Sequence, residues 1–259
     1  MEELTAQRRR ERALSFGPAA ALYDATRPSY PREAVDWALA PLGSGPSRVA
    51  DIGAGTGIMT RVLLEAGHHV LAVEPDPLMR ERLVRSTPGV TAVEGSAEAV
   101  PLPDASLDAA VAAQSYHWFD KQRAHAELAR VIRPGGVFAA IWNIRDASEP
   151  WVAQYTRIVE GDRGHIDQDH GVYDHGGFAY GPRFSEVERA TFRHSSQHTP
   201  ESLVRLLQSR SYYLRAAPEQ QRELEREVVS LTRTHPDLAG RASFELRYAT
   251  EVYRAIRRS

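Results

Sequence analysis

The chain has 259 residues and a mass of 28.8 kDa, with 32 basic against 34 acidic side chains, a formal net charge of −2 and 42% apolar residues. These proportions exclude a disordered or collagen-like chain, and they give no global electrostatic reason to bind nucleic acid or an anionic membrane. Cysteine is absent, which excludes disulfides, thiolate nucleophiles and Cys-based zinc or iron–sulfur centres, and Lys121 is the only lysine available for Schiff-base chemistry.

Residues 1–14 are charged and predicted helical with a frayed start; they hold no apolar run, so no secretory signal is expected. Nowhere does the chain reach the roughly 18 apolar residues of a membrane span, so a cytoplasmic protein is expected. A loop–helix–loop rich in aromatics and proline follows (S-F-G-P-A-A-A-L-Y-D-A-T-R-P-S-Y-P). Pro31 opens a helix to about Ala40, which Pro41, Gly43, Gly45 and Pro46 end. From Ser47 short β runs alternate with helices. Strands are predicted at Arg48–Ile52, His69–Val73, Val90–Val93, Ser106–Ala113 and Val137–Trp142. Helices are predicted at Ile58–Ala66, Leu78–Arg85 and Lys121–Val131, and Arg133-Pro134-Gly135-Gly136 reads as a turn. This is the pattern of βαβ units and a parallel sheet. Residues 150–160 read as a helix, 161–183 as a long loop, Glu186–His194 as a strand, and Pro200–Gln208 and Pro218–Thr232 as helices. Phe244–Arg254 reads as a final strand, open to continuing as a short helix, and pairing antiparallel with its predecessor at the sheet edge.

The segment R-V-A-D-I-G-A-G-T-G-I-M-T carries the strongest signal. A strand runs directly into Gly53, Gly55 and Gly57, and a helix starts at once, so its free N–H groups face a crevice at the strand end where open α/β sheets bind ligands. The spacing is G-x-G-x-G rather than the dinucleotide G-x-G-x-x-G, and no G-K-[ST] follows. The second strand ends in V-E-P-D, which places Glu74 where a carboxylate accepts hydrogen bonds from a ribose diol.

These residues resemble the first and second motifs of the class I S-adenosylmethionine-dependent methyltransferases. G-S-A-E-A-V-P-L-P-D-A-S-L-D-A-A-V and R-V-I-R-P-G-G-V-F are similar to their third-to-fourth and fifth strand segments. F-G-P-A-A-A-L-Y-D-A-T-R-P-S-Y-P, A-A-Q-S-Y-H-W-F-D, S-R-S-Y-Y and S-F-E-L-R-Y-A-T-E-V-Y resemble a small-molecule, trans-aconitate-methyltransferase-like bacterial subgroup, so the likeness spans about residues 16–256, with a poor match over 161–183. The resemblance implies a doubly wound, Rossmann-like α/β fold with a seven-stranded, mostly parallel sheet and an antiparallel C-terminal edge strand. It divides the chain into an N-terminal helical cap (1–45), a cofactor-binding core (46–145), and a segment of the same domain (146–259) holding a substrate lid loop, inserted helices and the final strands.

The resemblance implies S-adenosyl-L-methionine as cofactor and S-adenosyl-L-homocysteine as product. Asp51 with Gly53, Ala54, Gly55 and Gly57 would hold the methionine part, Glu74 and Pro75 the ribose, and Ser96, Ala97 and Glu98 the adenine. Gln114 would lie near the cofactor's amino group, and Tyr23 and Arg27 on a helix folded over it; Arg27 reads equally as a surface arginine before a proline turn.

Methyl transfer from a sulfonium is an in-line displacement that depends mainly on positioning and water exclusion, and needs a base only if the nucleophile must lose a proton. His117, after the fourth strand, is the base candidate or a pocket-lining residue. Phe16, Tyr30, Trp118 and Trp142 form a prospective aromatic wall, and Arg145 or Arg210 a prospective carboxylate clamp. The His165, Asp167, Asp169, His170, Asp174 and His175 loop reads better as a lid than as a metal site, so no metal is expected. The reading is therefore an enzyme that methylates an O, N or C nucleophile of a small molecule, as a monomer or homodimer, without nucleic-acid or membrane partners. The alternatives are a nicotinamide-dependent oxidoreductase and an inactive cofactor-binding regulator.

Overall fold

Strands that are apolar on both faces require a helical layer on each side, and the chain supplies both. The structure, a computed structural model, describes residues 19–160 and 179–259. Strands β1 (Arg48–Ile52), β2 (His69–Val73), β3 (Thr91–Val93), β4 (Leu107–Ala113), β5 (Ile132–Arg145), β6 (Glu188–His198) and β7 (Phe244–Ile256) form one sheet in the order β3-β2-β1-β4-β5-β7-β6. β1 to β5 pair in parallel; β7 runs antiparallel to both β5 and β6. The last two strands thus pair antiparallel at the sheet edge, with β6 outermost and β7 inserted beside β5.

The alternation of side chains along the strands sorts them into two cores. Val49, Ala109, Val111, Val137, Ala139 and Ile141 face α2 (Arg32–Leu39) and α3 (Ile58–Glu65). Ala50, Ile52, Ala110, Ala112, Phe138, Ala140 and Trp142 face α5 (Lys121–Val131). α1 (Ala20–Thr26) packs against α4 (Pro77–Ser86), which connects β2 to β3. A third core gathers α6 (Pro150–Glu160), α7 (Pro200–Gln208) and α9 (Pro218–Thr234) around Phe244, Leu246 and Tyr248, in the first half of β7. The i, i+3, i+4 set Leu203, Leu206 and Leu207 is fully buried in it.

Helix starts follow their capping residues. The Asp76 carboxylate accepts from the amides of Leu78 and Met79, Asp120 from that of Arg123, and Thr199 forms a reciprocal box with Ser202.

Two elements differ from the sequence reading. The Gly135-Gly136 pair lies within β5 rather than in a turn before it. A Cβ on Gly136 would stand 2.5 Å from the Asp108 carbonyl, and the β4–β5 register shifts beside it, so the glycine serves close strand approach across an irregularity. β7 continues as strand to Ile256 with no terminal helix, held against β5 from Val137↔Ile256 to Arg145↔Tyr248. The short α8 (Ser211–Arg215) has no periodicity by which sequence could find it. The predicted helix at 1–14, and loop residues 161–178 with their histidines and aspartates, lie outside the described residues. Among the described residues no helix is long and apolar enough to cross a membrane.

Candidate functional site at the carboxyl ends of β1, β2 and β4

The glycine turn is stitched to the neighbouring strand. The amides of Gly53 and Ala54 both donate to the Val73 carbonyl, at 2.8 and 3.2 Å, and the Gly55 amide donates to Glu74 Oε2 at 2.7 Å. Gly53 and Gly55 have φ of +68° and +56°. The two glycines answer to different neighbours. A Cβ on Gly53 would meet Ser115 Cβ at 2.7 Å, whereas one on Gly55 would meet nothing within 4 Å and would project into the crevice. Ser115 is brought there because Gln114 takes a left-handed φ of +54° at the end of β4; the Ser115 hydroxyl then donates to the Ile52 carbonyl at 2.7 Å.

Two carboxylates close the floor. Asp51 is 1% exposed; its Oδ2 accepts from the Thr60 hydroxyl at 2.6 Å, while Oδ1 is buried with no partner. Burial pushes the Asp51 carboxyl up to about 6, against the opposing Thr60 hydrogen bonds. Each Glu74 oxygen accepts one backbone amide, from Gly55 at 2.7 Å and from Asp76 at 2.8 Å. Burial raises this carboxyl to about 7, the two amides oppose the rise, and the Asp76 and Asp51 charges add to it. Both carboxylates therefore gain from a ligand that brings hydroxyls or positive charge. The Thr56 hydroxyl is a second buried polar atom of this turn without a partner. A carboxylate oxygen accepts two hydrogen bonds, so Glu74 retains a lone pair on each oxygen.

The other predicted residues fall into three groups. Pro75 is half-buried beside Glu74, and Ala54 packs with Ala72 and Leu83. Ser96 and Ala99 exchange backbone hydrogen bonds in a tight turn around buried Ala97, and Glu98 Oε1 accepts from the Asp120 amide at 2.7 Å, so this turn is tied to the start of α5. The Gln114 side chain donates to the Asn143 carbonyl at 2.9 Å.

α1 carries Tyr23, and the Arg27 guanidinium at its end lies 4.6 Å from the Tyr23 ring centroid. Tyr30 is held against α2 and α3, and burial first, then the neighbouring Tyr23 and Asp51, raises its phenol. His117 is half-buried in a helical turn, Tyr116–Trp118, 4.6 Å from the Trp118 ring. Trp142 lies on the α5 side of the sheet, in the apolar cluster against which Trp118 also packs, 3% exposed and edge-on to Tyr116 and Tyr253. Arg145 donates to the Thr156 hydroxyl at 2.8 Å. Phe16 lies outside the described residues.

Sequence reasoning missed the group that fastens α1 down. Asp24, 7% exposed at its side chain, pairs with Arg61 of α3 at 2.7 Å and Arg82 of α4 at 2.9 Å. It also missed Thr60 and Ser115. Thr60 could have been found as the hydroxyl one turn into the helix after the glycines; nothing local marks Asp24.

Comparison with known proteins agrees with this geometry. A family profile described as a methyltransferase domain matches residues 50–140. An uncharacterized methyltransferase of Mycobacterium tuberculosis is 39% identical over 247 residues, 95% of this chain and 97% of the relative. One from Schizosaccharomyces pombe is 30% identical over 234 residues, 89% and 92% of the two chains. A solved structure from Anaeromyxobacter dehalogenans, assigned as a type II methyltransferase, superposes with a TM-score of 0.64 at 27% identity, covering 89% of this chain and 97% of that one.

Proposed function

The chain belongs to the class I S-adenosylmethionine-dependent methyltransferases, and from that premise we propose that it transfers a methyl group from S-adenosylmethionine to an O, N or C nucleophile of a small molecule. The observation that carries this reading is the pair of orphaned or half-used acceptors beside the glycine turn, Asp51 Oδ1 and the remaining lone pairs of Glu74.

The donor set suits the cofactor. The unpartnered Asp51 oxygen would hold the amino group of the methionine part. The Glu74 oxygens would hold the ribose hydroxyls while keeping their amide donors, and the Cβ-free edge of Gly55 would let the ligand lie against the backbone. Ser96, Ala97 and Glu98 would flank the adenine. When bound, the cofactor supplies a methyl group already activated by a positive sulfur.

What remains for the protein is placement. Tyr23, on α1, and Tyr30 beside it shield the crevice from water, and the Asp24 ion pairs hold α1 over it. His117, after β4, accepts a proton from the acceptor where the nucleophile carries one, with its ring steadied against Trp118.

Calorimetric titration with S-adenosylhomocysteine tests the reading. Wild type should bind with a micromolar constant, and Glu74→Ala should weaken that by about 30-fold or more. Transfer of a labelled methyl group to acceptors from a small-molecule collection should follow. Wild-type protein that does not bind the product would overturn the assignment of the crevice.

A further inference from the structure

One line of polar side chains crosses the sheet from its outer strand toward the crevice. Asn143 of β5 stands directly opposite Thr250 of β7, which is fully buried. The Asn143 amide nitrogen donates to the Ser29 carbonyl at 3.0 Å, its Oδ1 accepts from the Thr250 hydroxyl at 2.6 Å, and the Thr250 oxygen lies 3.1 Å from His194 Nδ1 on β6. Chemistry fixes each role in this chain. A carbonyl only accepts, so the NH2 of Asn143 must face Ser29 and its oxygen must face Thr250. The single Thr250 proton is then spent on that oxygen, so His194 carries its proton on Nδ1 and donates it to Thr250. The His194 ring stacks on Tyr248, 5.3 Å between centroids.

At its inner end the line reaches the residues that shape the crevice. Ser29 lies in the connector between α1 and α2, where Pro28 and Pro31 have no amide hydrogen to donate. The next residue, Tyr30, packs on the cluster that includes Ala34, Val111 and Val137, and burial first, then Tyr23 and Asp51, raises its phenol. Asn143 also accepts the Gln114 side chain at its own carbonyl, at 2.9 Å. Gln114 is the residue whose left-handed backbone brings Ser115 against Gly53. A single residue of β5 thus holds both the connector that carries Tyr30 and the turn that backs Gly53.

We propose that Asn143 is a positioning residue for methyl transfer: oriented by Thr250, its side chain fixes the Ser29–Tyr30 connector beside the cofactor crevice, so that Tyr30 stands near Asp51 when the cofactor is bound. The proposal rests on the methyltransferase reading of that crevice. Asn143 acts through Ser29 and Tyr30 and is not itself assigned a contact with the cofactor. The amide suits the place because it supplies a donor and an acceptor on one short side chain, whereas a carboxylate would set an acceptor against the Ser29 carbonyl.

The test uses the full chain and two readouts: calorimetric titration with S-adenosylhomocysteine, and amide hydrogen exchange of the Ser29–Tyr30 connector followed by mass spectrometry. Asn143→Leu should weaken product binding by about tenfold and speed connector exchange by about threefold or more. Thr250→Val, close in volume, removes the hydroxyl that orients the amide and should weaken binding by about threefold or more. Thr250→Ser keeps the hydroxyl and should bind within about twofold of wild type. Because Thr250 acts through Asn143, the double variant of Asn143→Leu with Thr250→Val should bind within about twofold of Asn143→Leu alone. Should Asn143→Leu fail to fold, the two Thr250 variants decide by the same readouts. Any of four results would overturn the proposal: product affinity unchanged in Asn143→Leu or, where that variant does not fold, in Thr250→Val; connector exchange at the wild-type rate in the variants, which would reduce the residues to packing; Thr250→Ser as impaired as Thr250→Val; or additive losses in the double variant. Wild type that does not bind the product would instead strike the crevice reading, and the proposal with it.

Discussion

Replacing Glu74 by glutamine isolates the electrostatic cost of the crevice. Burial lifts this carboxyl from 4.5 to about 7. The folded chain thus holds the proton more tightly than the unfolded chain, and the stability this contributes is present below about pH 4.5 and is lost as pH rises through about 7. The whole gap corresponds to about 3 kcal/mol, of which about 2.5 kcal/mol falls between about pH 5 and about pH 8. Glutamine does not titrate, but it leaves the Gly55 or Asp76 amide facing an NH2 group, a fixed penalty of about 1–3 kcal/mol. That penalty is the same at every pH and cancels when one protein is compared with the other; Asp51 titrates in both proteins and, as the smallest of the causes acting on Glu74, cancels to first order. Urea unfolding followed by tryptophan fluorescence at the two pH values should therefore show Glu74→Gln gaining about 2.5 kcal/mol on wild type as pH rises. Stability curves that stay parallel within about 0.5 kcal/mol would refute the reasoning, because the carboxylate would then have its ordinary affinity for protons.

The two glycines should separate stability from affinity. Gly53→Ala, with its Cβ driven to 2.7 Å from Ser115 at a φ of +68°, should lose about 2–4 kcal/mol in thermal or urea unfolding. Gly55→Ala should lose only about 1–2 kcal/mol to backbone strain, yet bind S-adenosylhomocysteine at least tenfold more weakly by calorimetry; equal affinities would remove the ligand from that face of the turn. Asp24→Asn, which breaks both ion pairs of α1, should cost about 1–3 kcal/mol and expose the segment around Thr26 to limited proteolysis. An unchanged cleavage pattern would show that apolar contacts alone hold α1. His117→Ala should lower kcat on an identified acceptor by about 100-fold or more with product affinity intact, and an unchanged kcat would leave the ring a packing role.

Elements bounded by side-chain chemistry were legible in the sequence. Lys121–Val131 and Pro200–Gln208 occupy their predicted ranges because Asp120 and Thr199 mark each start through hydrogen bonds to backbone amides three residues on. The carboxyl-end crevice was equally visible, since the glycines, Asp51 and Glu74 are each set by the strand that delivers them. What escaped depends on contacts across the chain. The glycine pair at 135–136 looks like a turn until Asp108 is placed beside it. Trp142 cannot be assigned to a face of the sheet until the parity of β5 puts it on the α5 side.

The placement of β7 has a consequence for how the molecule is made. Its second half, Val252, Tyr253 and Ala255, completes the two sheet cores, and its first half, Phe244, Leu246 and Tyr248, anchors the helical cluster. During vectorial synthesis β5 and β6 therefore wait for a neighbour encoded after both, and the nine ladder positions from Val137 to Arg145 stay an open edge until it arrives. Closure of both cores depends on the same late strand, so a nascent chain stopped before Phe244 should be captured by chaperones or aggregate through that edge, rather than persist as a half-formed but soluble intermediate.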